Sequence, residues 1–287
     1  MRAIHAEDIR APAVAGMFYP EDAAELRRTV EMLLQQAEIK TTAKSVVATV
    51  APHAGYIYSG PVAAHTFKML QSCYPPSAEE KFRSPTVVVI APSHREAFPF
   101  VSVFTGRAYR TPLGDVPVAR DFAEALVASD QHFVAAWEGH RGEHALEVEL
   151  PFLQVIWPEF RLVPVVMGYQ DWELCKRLGE NLARLASASP VFIVASSDLS
   201  HYYPYNQAVK IDERFIKQLQ AFTPEALHQA LENGICEACG GGPIVAAMIA
   251  AKNLGADTVE VLRYQNSGDV SGDRSGVVGY VSAVFEA

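Results

Sequence analysis

Cysteine is scarce: Cys73, Cys175, Cys236 and Cys239 are the only four in 287 residues, too few and too scattered for a disulfide framework. Long apolar runs are absent. None approaches the roughly 20 residues needed to cross a bilayer, and no basic-then-apolar leader is expected at the start. Positive charge is in deficit, with 24 Lys and Arg against 33 Asp and Glu for a formal charge of −9. A nucleic-acid partner, which needs clustered cations on the phosphates, is therefore not expected. No Gly-x-Gly-x-x-Gly or Walker loop appears, so no nucleotide cofactor is indicated. There is also no Gly-x-Ser-x-Gly elbow to make Ser197, His201 and Asp198 a serine hydrolase. What is present is globular composition, 49% hydrophobic and 20% charged, enough chain to bury a core without covalent staples. We expect a cytoplasmic protein with no membrane association.

The apolar pattern alternates short β-branched runs with longer helical stretches. Strands are predicted at 46–50, 86–90, 162–166, 191–194, 258–262 and 277–284. Helices are predicted at 61–70, 119–128, 143–155, 172–185, 205–219, 224–232 and 243–254. A further helix follows Tyr19-Pro20, where Glu21 and Asp22 suit an N-terminus and Leu26, Val30, Leu33 and Leu34 recur at helical spacing. Such alternation indicates an α/β fold, an αβα sandwich around a mostly parallel or mixed sheet. No break in composition divides the chain, so residues 1–287 are read as one domain. The turn-forming stretch 266–273 is read as a loop between two strands, or a lid over a pocket.

Three strands end alike. Val46 to Val50 leads into Ala51-Pro52-His53, Val87 to Ile90 into Ala91-Pro92-Ser93-His94, and Val191 to Val194 into Ala195-Ser196-Ser197-Asp198 and on to Ser200-His201. Open α/β sheets bind ligands at the carboxyl ends of their strands. Three of the nine histidines thus arrive where such folds place chemistry. Neutral imidazoles suit Fe, Cu or Zn. A third ligand is best sought at Cys239, in Cys236-Glu237-Ala238-Cys239-Gly240-Gly241-Gly242-Pro243, where the start of the next helix favours a thiolate. Asp198, three residues before His201, is spaced to orient it as a general base, or else to cap a turn. Tyr56, Tyr58, Tyr202 and Tyr203 follow these strand ends and could wall a pocket or simply pack.

His140-Arg141-Gly142-Glu143-His144 formally matches the inverted zinc-protease signature. Gly142 works against the continuous helix that chemistry requires. The pattern instead suggests a helix starting near Glu143, with Pro151 interrupting it and with Glu143 and His144 supporting the pocket.

These motifs together resemble the Memo family (mediator of ErbB2-driven cell motility), its prokaryotic members in particular. The resemblance runs over nearly the whole chain. It rests on Ala15-Gly16-Met17-Phe18-Tyr19-Pro20, Ala51-Pro52-His53-Ala54-Gly55-Tyr56, Pro92-Ser93-His94, Glu143-His144-Ala145-Leu146-Glu147, Ser197-Asp198-Leu199-Ser200-His201, Cys239-Gly240-Gly241 and Asn266-Ser267-Gly268-Asp269. It implies the fold of class III extradiol dioxygenases, with His53, His94 and Cys239 at the metal-ligand positions. Asp198 and His201 then fall where those enzymes place their acid/base histidine. It further implies Fe(II) or Cu as cofactor, and a pathway link to radical-SAM and AMMECR-type proteins. A thiolate in place of the dioxygenases' carboxylate changes metal choice and redox potential, so ring cleavage does not carry across.

Three functions are open on this reading. One is a metal-dependent oxidoreductase in which His53, His94 and Cys239 hold Fe(II) or Cu and His201, with Asp198, moves a proton on a small substrate. Another is a non-catalytic module that binds a peptide or small anion in the same pocket, lined by Tyr56, Glu143, His144 and Ser197. The third is a zinc hydrolase built on His140.

Overall fold

The computed structural model describes residues 4–39, 45–76 and 84–287. In chain order the elements are β1 (Ile9–Arg10), α1 (Ala23–Gln36), β2 (Val46–Ala51), α2 (Tyr56–Cys73), β3 (Thr86–Pro92), β4 (Val101–Val103), β5 (Ala108–Thr111), β6 (Gly114–Pro117), α3 (Arg120–Ser129), β7 (Phe133–Ala135), α4 (Leu150–Ile156), β8 (Arg161–Met167), α5 (Trp172–Ala188), β9 (Phe192–Ser196), β10 (His201–Tyr203), α6 (Tyr205–Gln220), α7 (Pro224–Glu232), α8 (Gly241–Asn253), β11 (Thr258–Asn266), α9 (Ser267–Ser271) and β12 (Val277–Glu286). The centre of the main sheet is four parallel strands in the order β2-β9-β3-β8. Antiparallel strands extend it, with β12 on β2, β11 on β12, and β4 on β8. β1, β5 and β6 form a separate small sheet.

The parallel strands are apolar throughout because helices cover the sheet. Every residue of β3 is buried, as expected of a strand shielded on both faces. α8 packs against β2, β9 and β3, and α5 packs on α8. Residues 241–251 of α8 are all buried, so this helix runs through the core without a solvent face. Gly179 of α5 lets the two helices meet: a Cβ there would stand 2.6 Å from the Ala246 carbonyl oxygen. α2 packs against β12, β11 and β2, with α1 against it. This is the α/β sandwich with a mixed sheet that the alternating pattern indicated. Asp22 caps α1 by accepting the Glu25 N–H.

The structure differs from the sequence reading at three segments. Residues 143–155 are not one helix. Glu147–Glu149 form a 3-10 turn, and α4 begins at Leu150 with Pro151 in its first turn. Pro151 therefore starts a helix, where its missing N–H costs nothing, and does not interrupt one. Pro61 lies inside α2, which begins at Tyr56 rather than at Pro61. Residues 266–271 are not a plain loop: Asn266 accepts the Gly268 N–H, Asp269 takes the Asn266 N–H, and the resulting capping box starts α9, closed by Gly272 at φ 77°.

A buried ion pair ties the N-terminal segment to the 140–149 stretch. Arg10, 1% exposed, donates to the His140 carbonyl at 2.8 Å and also to Glu147 and to the Glu143 carbonyl. Glu147, 0% exposed, also accepts the Ala13 and Val14 N–H groups and the Tyr19 hydroxyl. Removing one partner strands the other charge in the core. Arg10→Met is expected to cost about 3–5 kcal/mol in urea denaturation, and the Arg10→Met/Glu147→Leu double variant to recover much of it. A double variant no more stable than the single one would refute the pairing.

His140 gives the same region a pH dependence. It is buried, its Nδ1 lies 2.5 Å from the Tyr109 hydroxyl, and burial together with Arg10 lowers its pKa to about 3. The unfolded imidazole takes a proton near pH 6.5 and the folded one only near 3. The folded state then binds fewer protons between those values, and stability rises with pH across that window. This contribution is complete above about pH 6.5 and is lost on acidification at up to about 1.4 kcal/mol per pH unit. Urea midpoints measured between pH 7 and 4.5 should show a shallower slope for His140→Gln than for wild type.

Candidate metal centre

Three neighbouring parallel strands, β2, β9 and β3, deliver His53, Asp198 and His94 from their carboxyl ends, and the turn before α8 brings Cys239 against them. Ligand atoms of His53, His94 and Cys239 all lie within 4.8 Å of one another. His53 Nε2 and Cys239 Sγ are 3.2 Å apart. Metal–nitrogen bonds of about 2.0–2.1 Å and metal–sulfur bonds of about 2.3 Å would bridge such separations. His53 is fully buried, and its pKa is lowered well below the usual value by burial and then by His94 and His144. It is thus neutral, the form that ligates. His94 is 30% exposed at its side chain, which leaves the centre open on one side.

The site depends on Asp198. Its Oδ1 accepts the His53 backbone N–H at 2.8 Å, its own N–H donates to Cys239 Sγ at 3.3 Å, and its carbonyl accepts the Cys239 N–H at 3.2 Å. Burial raises its pKa to about 7, against the pull of the His53 and Ala54 N–H groups. The sequence reading has Asp198 orienting His201. Its carboxylate points instead to the backbone after β2, and no Asp198–His201 hydrogen bond exists among the described residues. His201 stays half-buried at the same sheet edge, where burial lowers its pKa and the Leu199 backbone works against that shift. Beside it Tyr202 is 79% exposed with φ 65°, a left-handed backbone that strains a non-glycine residue.

Glu143 supports two imidazoles. Its Oε1 accepts from His94 Nδ1 at 3.0 Å and from the His144 and Ala145 N–H groups, and its Oε2 accepts the His94 N–H at 2.6 Å. Burial alone would raise its pKa, but these donors outweigh it and hold the carboxylate well below its usual range. His94, Glu143 and His144 also lie close enough to form a ligand group. The Glu143 oxygens are already filled by four N–H donors, so we assign the carboxylate to orienting His94 rather than to holding an ion. His144 stacks on His94 at 4.9 Å, meets His53 edge-on at 5.4 Å and packs on Phe18 at 4.8 Å.

The remaining sequence candidates take structural places. Tyr56 is buried, donates its hydroxyl to the Val148 carbonyl at 2.7 Å and packs on Phe152 and Tyr19. Ser197 donates to the Asp198 carbonyl at 2.8 Å and accepts the Gly240 N–H at 2.9 Å, so it binds the two loops together. The start of α8 does not by itself favour a Cys239 thiolate. Burial, then Asp198, push the thiol pKa well up, outweighing backbone N–H donors. His140 faces Tyr109 and does not share a helical face with His144, which removes the geometric basis for a zinc-protease helix. Sequence reasoning missed Ser196, Glu149, Arg10 and Phe18. The available signal was a run of acidic residues, Glu143, Glu147 and Glu149, set among apolar ones, which marks buried and therefore partnered carboxyls.

Gly240 makes the approach of Cys239 feasible. A Cβ at Gly240 would stand 2.2 Å from the Ser196 carbonyl oxygen, backbone that cannot yield, whereas one at Gly55 would meet only ordinary contacts at 3.6 Å. Gly240→Ala is expected to lose about 1–3 kcal/mol in urea denaturation through overpacking. Gly55→Ala should change little. Equal stability of the two variants would refute the close approach.

The Memo-like protein family model matches residues 10–284. A MEMO1 family protein of Methanopyrus kandleri is 39% identical over 286 residues, covering 96% of this chain and 98% of that one. Those of Methanocaldococcus jannaschii and Sulfolobus acidocaldarius are each 36% identical over 290 residues, covering 97% and 96% of this chain and 99% of each relative. Among solved structures, an uncharacterized protein of Escherichia coli K12 superposes with a TM-score of 0.56 over 83% of this chain and 99% of that one. At 15% identity that likeness speaks for the fold alone. With the family model spanning nearly the whole sequence and relatives above one-third identity along their full length, the chain belongs to the Memo family.

Proposed function

We propose that this protein is a metal-dependent oxidoreductase in which His53, His94 and Cys239 hold Fe(II) or Cu and His201 moves a proton on a small substrate. The observation that carries the reading is the convergence of two imidazole nitrogens and one sulfur, from three distant parts of the chain, within 4.8 Å. Their chemistry fits a borderline-soft redox metal: imidazole suits Fe and Cu, and a thiolate favours the softer states. A bound Fe or Cu would supply one-electron chemistry and Lewis acidity at this point.

The chain's own residues have separable tasks. Glu143 fixes the His94 ring through Nδ1, leaving Nε2 for the metal, the carboxylate–histidine arrangement that raises ligand basicity. The half-exposed side at His94 admits substrate, and Phe18 and His144 wall that entrance. His201 approaches from β10 and can hold or pass a proton at a ring nitrogen.

Anaerobic Fe(II) titration tests the ligand set. His53→Ala, His94→Ala and Cys239→Ser are each expected to weaken binding by at least the roughly 10–100-fold seen when even supporting residues are lost, while His140→Ala leaves it intact. Equal affinity of wild type and His53→Ala would remove the reading. An oxygen-uptake screen of loaded protein against small phenols and thiols then separates turnover from binding. A protein that binds its ligand identically with and without metal, and consumes no oxygen, is a binding module instead.

A further inference from the structure

Ser196, the last residue of β9, has one hydroxyl proton and three short contacts. Its Oγ lies 2.7 Å from the Ala145 carbonyl oxygen, 2.7 Å from Glu149 Oε1 and 2.8 Å from His53 Nδ1. A carbonyl oxygen can only accept, so the Ala145 contact takes the serine proton. The other two contacts must then donate to Oγ. His53 does so through an Nδ1–H. Glu149 can do so only as the neutral acid, because an ionised carboxylate would compete with Ala145 for a single proton.

The surroundings of Glu149 agree with that proton count. The side chain is 0% exposed, and its Oε2 is buried with no hydrogen-bond partner among the described residues, as suits the carbonyl oxygen of an un-ionised carboxyl better than a charged oxygen. Burial disfavours its charge and Asp198 adds to that effect; a proton donated by Ser196 would oppose them, but that proton goes to the Ala145 carbonyl. Tyr56, the other titratable group influenced by Glu149, is itself held neutral by burial.

We propose that Glu149 is a neutral, proton-holding positioning residue that, through Ser196, locks His53 as its Nδ1–H tautomer and leaves the Nε2 lone pair facing Cys239 Sγ. Its consequence for metal affinity rests on the function proposed above; the tautomer and the proton are properties of the metal-free chain. Glu149 and Ser196 thus do for His53 what Glu143 does for His94, with a neutral relay in place of a charged one. Both imidazoles present the same nitrogen to the centre.

The test uses the full-length, metal-free protein. Nitrogen-15 NMR of labelled histidines, with His53 assigned from its substitution, reads the tautomer directly. Infrared difference spectra of wild type against Glu149→Gln read the acid as a carboxylic C=O band that shifts in D2O and is missing in the variant. We expect His53 in the Nδ1–H form in wild type and in Glu149→Gln, whose amide N–H donates to Ser196 as the acid does. Glu149→Leu is expected to mix the two tautomers and lower Fe(II) affinity about 10–100-fold, with Glu149→Gln restoring it. An Nε2–H tautomer in wild type, or no acid band lost in Glu149→Gln, overturns the proposal. Should Glu149→Leu not fold, wild type and Glu149→Gln decide alone. An Nδ1–H tautomer and an acid band in a protein that binds no Fe(II) would sink the metal reading and leave this one standing.

Discussion

Everything at the candidate site hangs on the hydrogen bonds of Asp198. One residue ties the turn after β2 to the turn before α8: its carboxylate takes the His53 N–H, its carbonyl takes the Cys239 N–H, and its own N–H reaches the Cys239 sulfur. β2 and β9 are adjacent, so the clasp closes across a single strand spacing. α8 comes close enough because Gly240 presents no side chain to the Ser196 carbonyl. A histidine 186 positions earlier in the chain thereby meets a cysteine at 3.2 Å.

Behind that clasp lies a layer of buried carboxyls with divided roles. Glu147 is charged and paired with Arg10, which joins the small sheet to the segment carrying Glu143. Glu143 is charged and held by N–H donors, which aim His94. Among the described residues Glu149 has no such cation or set of donors, and its burial favours the neutral form. Three glutamates within seven residues end in three electrostatic environments because the 3-10 turn at Glu147–Glu149 and the extended run before it point them in different directions. A continuous helix over 143–155 would have placed Glu143 and Glu147 on one face, four apart, with like charges in repulsion.

Much of this was legible in the residues. The β-branched runs ending in small residues and then histidine marked β2 and β3, with the continuation to His201 marking β9, and the rule that parallel sheets bind ligands at their carboxyl ends pointed to the edge where His53, His94 and Cys239 meet. Cys239 was legible from the glycines that follow it. The short strands β4 to β7 and β10 were not, because runs of three or four residues carry too little periodicity to separate from loop. Pro151 was read as a breaker when it is an initiator, since proline permits either and only the preceding backbone decides. Asp198 was read as orienting His201 or capping a turn, whereas its carboxylate holds the His53 N–H, because a spacing of three residues is equally compatible with a neighbouring imidazole and with a neighbouring strand's N–H.

Taken alone, the amino-acid order determined the α/β class, the central strands and the identity of the two histidines and the cysteine, because those depend on local pattern and on side-chain chemistry. Tertiary structure decided which groups touch: that Asp198 serves His53, that Glu143 serves His94, that His140 turns to Tyr109 and that Ser196 joins Glu149 to His53. Such choices are made by strand order and by the burial of polar groups. A buried donor or acceptor must find a partner wherever the fold brings one, however far away that partner lies in the chain.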